Sequence, residues 1–265
     1  MNLITLGPKG TFSHQVALDY CKKAKIQFAD SIDGVFFRLG DKESNQALVP
    51  LKNNRSGYVE ETVVNLMKYD FSLQGKFDAK ISHCLAGRGK IDEATALFAH
   101  PHAYLQCKDK LDSLGVDCRV VETKSNGHSA MQLKFDQSTR SLAIIPPLAA
   151  EIYKLPIIEK SIEDDPENRT TFFLIGKEVH KPTGKDTSAF LLFSDSLKAV
   201  ENQIRTLIEE KKEKLMTLEN LLLQEGHTPL YFMEMSGHVQ NEQVASIVDA
   251  LNKKFLLKHL GSYPA

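Results

Sequence analysis

Short apolar runs alternate with amphipathic stretches from Asn2 to Tyr153, and this alternation restricts the fold more than any other feature of the chain. Asn2–Leu6, Gln46–Leu51, Ile81–Ala86, Thr95–Phe98, Cys118–Glu122 and Leu142–Ile145 read as strands. Between and after them, helical spacing or caps predict helices from Thr11 or Ser13 to about Lys23, and over Asp30–Leu39, Glu60–Leu66, His102–Leu114, Ser125–Phe135 and Pro147–Tyr153. A strand–helix succession of this kind asks for parallel-rich sheets with helices on both faces. At 265 residues the chain exceeds one average domain, so the pattern predicts two α/β lobes with a cleft between them.

Polar residues gather where predicted strands end. The turn Gly7–Gly10 (GPKG) precedes a helix start, which makes either an anion site or a plain connection; it matches no nucleotide-binding fingerprint. Lys52–Gly57 (KNNRSG) follows the Gln46–Leu51 strand, and ligands of open α/β sheets bind at such carboxyl ends. Glu163–Lys177 (EDDPENRTTFFLIGK) passes from an acidic turn through Asn168, Arg169, Thr170 and Thr171 into the apolar strand Phe172–Ile175.

After Lys177 the polar linker VHKPTGKDTS leads to another pattern: a strand at Ala189–Phe193, a helix at Leu197–Lys211, strands at Leu215–Leu223 and Leu230–Met235, and a helix at Asn241–Leu257. That order predicts a small antiparallel sheet with helices on one face, a regulatory or dimerising module. Net charge is −1, so no basic excess points to nucleic acid. No apolar run reaches membrane-spanning length, and the start MNLITLGPKG lacks a signal pattern. Cys21, Cys84, Cys107 and Cys118 form no CxxC pair and read as reduced thiols of a cytoplasmic protein. The histidines lack ligand spacing, so no metal is expected.

Several segments, in order, resemble the prephenate dehydratase family with a C-terminal ACT domain. They are LGPKGTFS (Leu6–Ser13), VPLKNNRSGYVEET (Val49–Thr62), AHPHAYLQC (Ala99–Cys107), SNGHSA (Ser125–Ala130), LAAEIYKL (Leu148–Leu155), NRTTF (Asn168–Phe172) and SGH (Ser236–His238). The resemblance implies a two-lobed catalytic unit like a periplasmic binding protein over 1–178, with lobe 1 about 1–77 plus 158–178 and lobe 2 about 78–157. A ferredoxin-like βαββαβ ACT sandwich would follow over 185–265. It implies cofactor-free loss of water and carbon dioxide from prephenate, giving phenylpyruvate for phenylalanine biosynthesis, in a homodimer or homotetramer. Its alternatives are an altered, decarboxylase-like homologue and a non-catalytic small-molecule binder.

The family's catalytic threonine, asparagine and glutamine fall on Thr170, Asn53 and Gln106. Thr11, Ser13, Lys52, Ser125, Arg169, Thr171 and Phe172 are the expected substrate-binding residues. The chain also departs from the family: Thr171 stands for an arginine, Ala99 for a serine and Lys52 for a glutamate. Arg169, two residues from Thr171, is the expected source of the missing charge, since alternate residues of a strand share a face. The family's phenylalanine-binding motifs are degenerate here, at Lys198–Val200 and at Glu219–Leu222 with Glu219 and Asn220, so binding of L-phenylalanine is expected to be weak or lost.

Overall fold

A computed structural model describes residues 2–20, 22–41, 46–194, 197–221 and 230–265, with 197–200 described by backbone alone. Three sheets organise these residues. The first has the order β2-β1-β3-β11-β5, and β4 pairs with β3. Its strands are β1 (Asn2–Leu6), β2 (Lys25–Ala29), β3 (Gln46–Asn53), β4 (Gly57–Tyr58), β5 (Ser72–Lys80) and β11 (Arg169–Gly176). The first three strands run parallel, with α1 (Phe12–Tyr20) and α2 (Ile32–Gly40) as their crossovers, whereas β11 lies antiparallel between β3 and β5. Helix α3 (Glu60–Lys68) follows β4.

The second sheet has the order β10-β6-β9-β7-β8. It comprises β6 (Cys84–Gly87), β7 (Ala96–Ala99), β8 (Arg119–Glu122), β9 (Ser141–Ile145) and β10 (Ile157–Lys160), carrying α4 (Pro101–Leu105), α5 (Lys108–Ser113), α6 (Asn126–Asp136) and α7 (Pro147–Tyr153). The lobe boundaries thus differ from those expected. β5 keeps the chain in the first sheet to Lys80, and β10 keeps it in the second to Lys160. Ile81–His83, expected as strand, forms the connection between the sheets.

The helix expected over His102–Leu114 is two helices broken at Gln106–Cys107. The Asp164 carboxylate accepts the backbone N–H groups of Lys110 at 2.9 Å and Asp109 at 3.3 Å, while Asp164 N–H donates to the Gln106 carbonyl at 2.8 Å. An acidic residue near a helix start satisfies donors that have no helical partner, so Asp164 both caps α5 and pins the break that carries Gln106.

The third sheet is antiparallel, with order β13-β14-β12-β15. Its elements are β12 (Asp186–Phe193), α8 (Leu197–Glu210), β13 (Leu215–Leu221), β14 (Leu230–Ser236), α9 (Glu242–Asn252) and β15 (Leu256–Pro264). The helix expected to reach Leu257 stops at Asn252, and the last strand, β15, takes up the chain from Leu256. Residues 222–223, expected as the end of a strand, lie outside the described residues.

One hydrophobic core joins this sheet to the first. Leu73, Phe173 and Ile175 pack in the same cluster as Leu191, Phe232, Leu260 and Tyr263. The contact carries buried polar bonds: Glu234, 1% exposed, accepts Lys76 Nζ at 2.8 Å, Thr217 Oγ1 at 2.9 Å and the Tyr263 hydroxyl. The first two sheets meet elsewhere. Gly10 takes φ +90°, and a Cβ there would come within 2.9 Å of the Ala149 Cβ on α7. Glycine alone permits both that backbone and that approach, and it sets the polar turn of the first lobe against the second.

Candidate active site

Strand pairing determines which side chains reach the cleft. β11 pairs antiparallel with β3 in the register Thr170↔Asn53 and Thr171↔Lys52. Residues directly opposite across a ladder share a face, so Thr170 and Asn53 face one way while Thr171 and Lys52 face the other. Between Thr171 and Phe172 the register slips, and Phe172 pairs with Pro50. This bulge opposes an extra residue of β3 to β11. It brings Pro50 and Asn53, three positions apart, to the same cleft as Thr170 and Phe172. Pro50 has no N–H to give a ladder, and β1 pairs with β3 only as far as Leu48.

The cleft encloses about 290 Å³. The first lobe supplies Leu6, Thr11, Phe12, Ser13, Asn53, Thr170 and Phe172, and the second lobe and the connection supply His83, His100, His102, Gln106, Lys124, Ser125 and Asn126. A chain of amides crosses its floor. Asn53 Nδ2 donates to Asn168 Oδ1 at 2.8 Å, to the Arg169 carbonyl at 3.0 Å and to Thr170 Oγ1 at 3.0 Å. Asn53 Oδ1 accepts the N–H groups of Arg55 at 3.0 Å and Ser56 at 3.1 Å. Asn168, fully buried, donates from Nδ2 to Gln106 Oε1 at 3.0 Å, and His83 Nε2 lies 3.4 Å from the same oxygen.

Two groups are left with donors to spend. Thr170 Oγ1 receives Asn53, so its own proton is free. Gln106 Oε1 receives Asn168, so its NH2 is free. His83 is neutral. Burial holds its pKa down at about 4, outweighing the pull of Gln106 and Glu163 in the other direction. Gln106 Oε1 can only accept, so the proton of the neutral ring sits on Nε2 and is donated to it, and among the described residues the buried Nδ1 has no partner. Burial, then the neighbouring His102, also holds His100 below its ordinary value against the pull of Glu122.

The other expected site residues divide. Thr11 caps α1, accepting His14 N–H at 3.3 Å and donating to the Leu6 carbonyl at 3.1 Å, and Ser13 lines the cleft beside it. Ser125 lines the opposite wall, but its hydroxyl is engaged: it accepts His128 N–H at 3.2 Å and lies 3.0 Å from His128 Nδ1. Lys52, Arg169 and Thr171 do not reach the cleft, which corrects their expected positions. Lys52 Nζ pairs with Glu219 of β13 and sits 5.0 Å from the centre of the Tyr58 ring. Arg169 projects into solvent, 3.8 Å from Glu167. Thr171 Oγ1 donates to Asp78 at 2.5 Å. Ala99 is fully buried in the second lobe's core. Asn220 is exposed, and Lys198 stands at positions whose side chains lie outside the described residues.

Sequence reasoning missed the place of Asn168 and His83 in the amide chain and of Lys124 on the cleft wall. Asn168 opens the NRTTF segment, which was the available signal; His83 and Lys124 carry none that is local. Among the described residues, no cluster of three or more His, Cys, Asp or Glu is placed to hold a metal.

A family profile described as prephenate dehydratase matches residues 3–180. The bifunctional chorismate mutase/prephenate dehydratase of Pseudomonas aeruginosa is 28% identical over 264 residues, 98% of this chain and 72% of that protein. The prephenate dehydratase of Methanocaldococcus jannaschii is 28% identical over 270 residues, 97% of this chain and 96% of that protein. Among solved structures, the prephenate dehydratase of Arthrobacter aurescens in complex with L-Phe has a TM-score of 0.87 at 21% identity, covering 100% of this chain and 90% of that one, a likeness of fold.

The His83 environment predicts an acid-labile fold. With its pKa lowered from 6.5 to about 4, the unfolded chain takes up a proton in this window that the folded chain refuses. The contribution is complete above pH 6.5 and is lost as pH falls toward about 4; His259, also held at about 4 by burial, acts in the same direction. Urea unfolding midpoints followed down this range should fall, and less steeply in His83→Gln. Parallel curves for the two proteins contradict the assignment.

Proposed function

The chain belongs to the prephenate dehydratase family, and from that premise we propose that its cleft binds prephenate and converts it to phenylpyruvate, carbon dioxide and water. The bond from the ring to its carboxylate breaks, and that electron pair moves through the ring. The carbon–oxygen bond at the opposite ring carbon then breaks as the hydroxyl leaves. One proton is consumed, so a dianion plus a proton gives phenylpyruvate monoanion, carbon dioxide and water. Aromaticity supplies the driving force, and the protein's task is to help a poor leaving group depart.

The observation that carries this reading is the Thr170 hydroxyl, which lines the cleft and accepts Asn53 Nδ2 at 3.0 Å. Its oxygen is fixed by an N–H donor, so its proton is directed to the leaving oxygen. A neutral hydroxyl acts here as hydrogen-bond donor and proton relay, not as a free acid. The free amide of Gln106 adds a second donor. Ser13 and the N-terminus of α1 give neutral and partly positive donors for a carboxylate, while Thr11, its hydroxyl proton spent on the Leu6 carbonyl, holds the start of that helix. The family departures at Lys52, Ala99 and Thr171 all lie off the cleft, which favours an active enzyme over an altered one.

The βαββαβ order of the third sheet supports an ACT domain over 185–265, and through it a homodimer or homotetramer. Catalytic residues then lie within 1–178. Scattered cysteines fit a reducing cytoplasm. Regulation by L-phenylalanine is weak or lost, because the family's phenylalanine-binding motifs are degenerate at Lys198–Val200 and Glu219–Leu222; Glu219 is paired instead with Lys52.

Replacing Thr170 by Ala should lower kcat about a hundredfold or more, the size of losing one well-placed donor, while Arg169→Ala stays near the parent rate. Phenylpyruvate absorbance in alkali reads both. A Thr170→Ala enzyme with near-parental kcat, or no phenylpyruvate from the unaltered protein, defeats the proposal. Calorimetric titration with L-phenylalanine should find no tight binding, and micromolar affinity would contradict the effector statement.

A further inference from the structure

With Lys52 and Arg169 turned away, the cleft still has to hold a dianion. A buried carboxylate needs compensating charge or a full set of hydrogen bonds. Among the described residues lining the cleft, Lys124 is the sole lysine or arginine, and no Asp or Glu lines it. Lys124 is exposed and has no ion-pair or hydrogen-bond partner among the described residues. It directly precedes Ser125, the N-cap of α6, on the wall of the second lobe that faces Thr11 and Ser13. Ser125 spends its hydroxyl on His128, so the ammonium beside it is the charged donor that wall presents.

We infer that Lys124 binds the carboxylate that survives the reaction, on the substrate's pyruvyl side chain. This rests on the proposed function. The argument is one of charge in the transition state. The ring carboxylate loses its charge as carbon dioxide departs, and a cation fixed on it would stabilise the ground state more than the transition state and slow the step. The uncharged donors Thr170 and Gln106 are joined through Asn53 and Asn168, as the reacting end of the ring requires. A lysine on the opposite wall holds the end of the molecule whose charge is the same before and after the chemistry. It therefore binds substrate, transition state and product alike, which sets affinity without setting the rate of the bond-breaking step.

Lys124→Gln and Lys124→Arg, assayed for prephenate turnover and titrated calorimetrically with phenylpyruvate, test this. Lys124→Gln should raise KM about tenfold or more, the size of a lost charged hydrogen bond, with kcat held. Phenylpyruvate affinity should weaken by the same factor, and Lys124→Arg should restore both. An unchanged KM overturns the assignment. So does a raised KM with unchanged phenylpyruvate affinity, which puts the lysine on the ring carboxylate, and so does a fall in kcat with KM held. If the unaltered protein fails to convert prephenate, the proposed function fails, while the phenylpyruvate titrations still decide whether Lys124 is a carboxylate site.

Discussion

The Asn53 side chain holds the candidate site together. It reaches from the end of β3 to Asn168, to the Arg169 carbonyl and to Thr170, while its oxygen gathers the N–H groups of the loop after it. Each of these bonds is neutral and modest, on the order of 1 kcal/mol net. Their value lies in direction. Amides have distinct donor and acceptor ends, so a buried chain of them passes an orientation from one residue to the next. The chain starts at neutral His83, runs through Gln106 and Asn168, and ends at Thr170, spanning both lobes. A charged group in this chain would carry its own field into the reaction; uncharged amides orient the hydroxyl without one.

The fold supplies the precision that this chain needs. The Asn53–Thr170 register places donor and acceptor side by side, and the bulge beyond Thr171 turns Pro50 and Phe172 into the same cleft. Asp164 breaks the helix at the point where Gln106 has to turn inward. On the back of β3, Lys52 is tied to Glu219 of the third sheet, one residue from Asn53. The two faces of one strand thus serve the cleft and the C-terminal unit. Because Leu73 and Phe173 share a core with Phe232 and Tyr263, that unit is built onto the first lobe and not tethered beside it.

The interior of this fold was more legible in the sequence than its margins. Central strands such as Ser141–Ile145, buried at every position, announce themselves by apolar runs, here Leu142–Ile145. The strands that went unread are β2, β4, β5, β10 and β15, each at the margin of its sheet, while the edge strands β8 and β13 were read. An edge strand such as SLQGKFDAK hides only some of its residues, so its apolar signal is diluted. At the site, Thr170, Asn53 and Gln106 came through the resemblance and meet across the cleft, but the cations did not. The period of two correctly put Arg169 and Thr171 on one face; which face it was depended on pairing with a strand more than a hundred residues earlier, and local sequence holds no record of that. Asp164 read as no more than part of an acidic turn for the same reason, since the helix it caps lies far back in the chain.

The amide chain itself is the central claim, and Asn168 is the link by which that chain passes from one lobe to the other. Asn168→Asp keeps the shape of the side chain and its acceptor toward Asn53 but removes the N–H donor that occupies Gln106 Oε1, so Gln106 is free to turn its NH2 inward and away from the cleft. With Thr170, Asn53 and Gln106 all present, and folding verified by thermal melting, kcat for prephenate should fall by at least about tenfold, the loss of one aligned donor. A correctly folded Asn168→Asp enzyme with unaltered kcat would contradict the account.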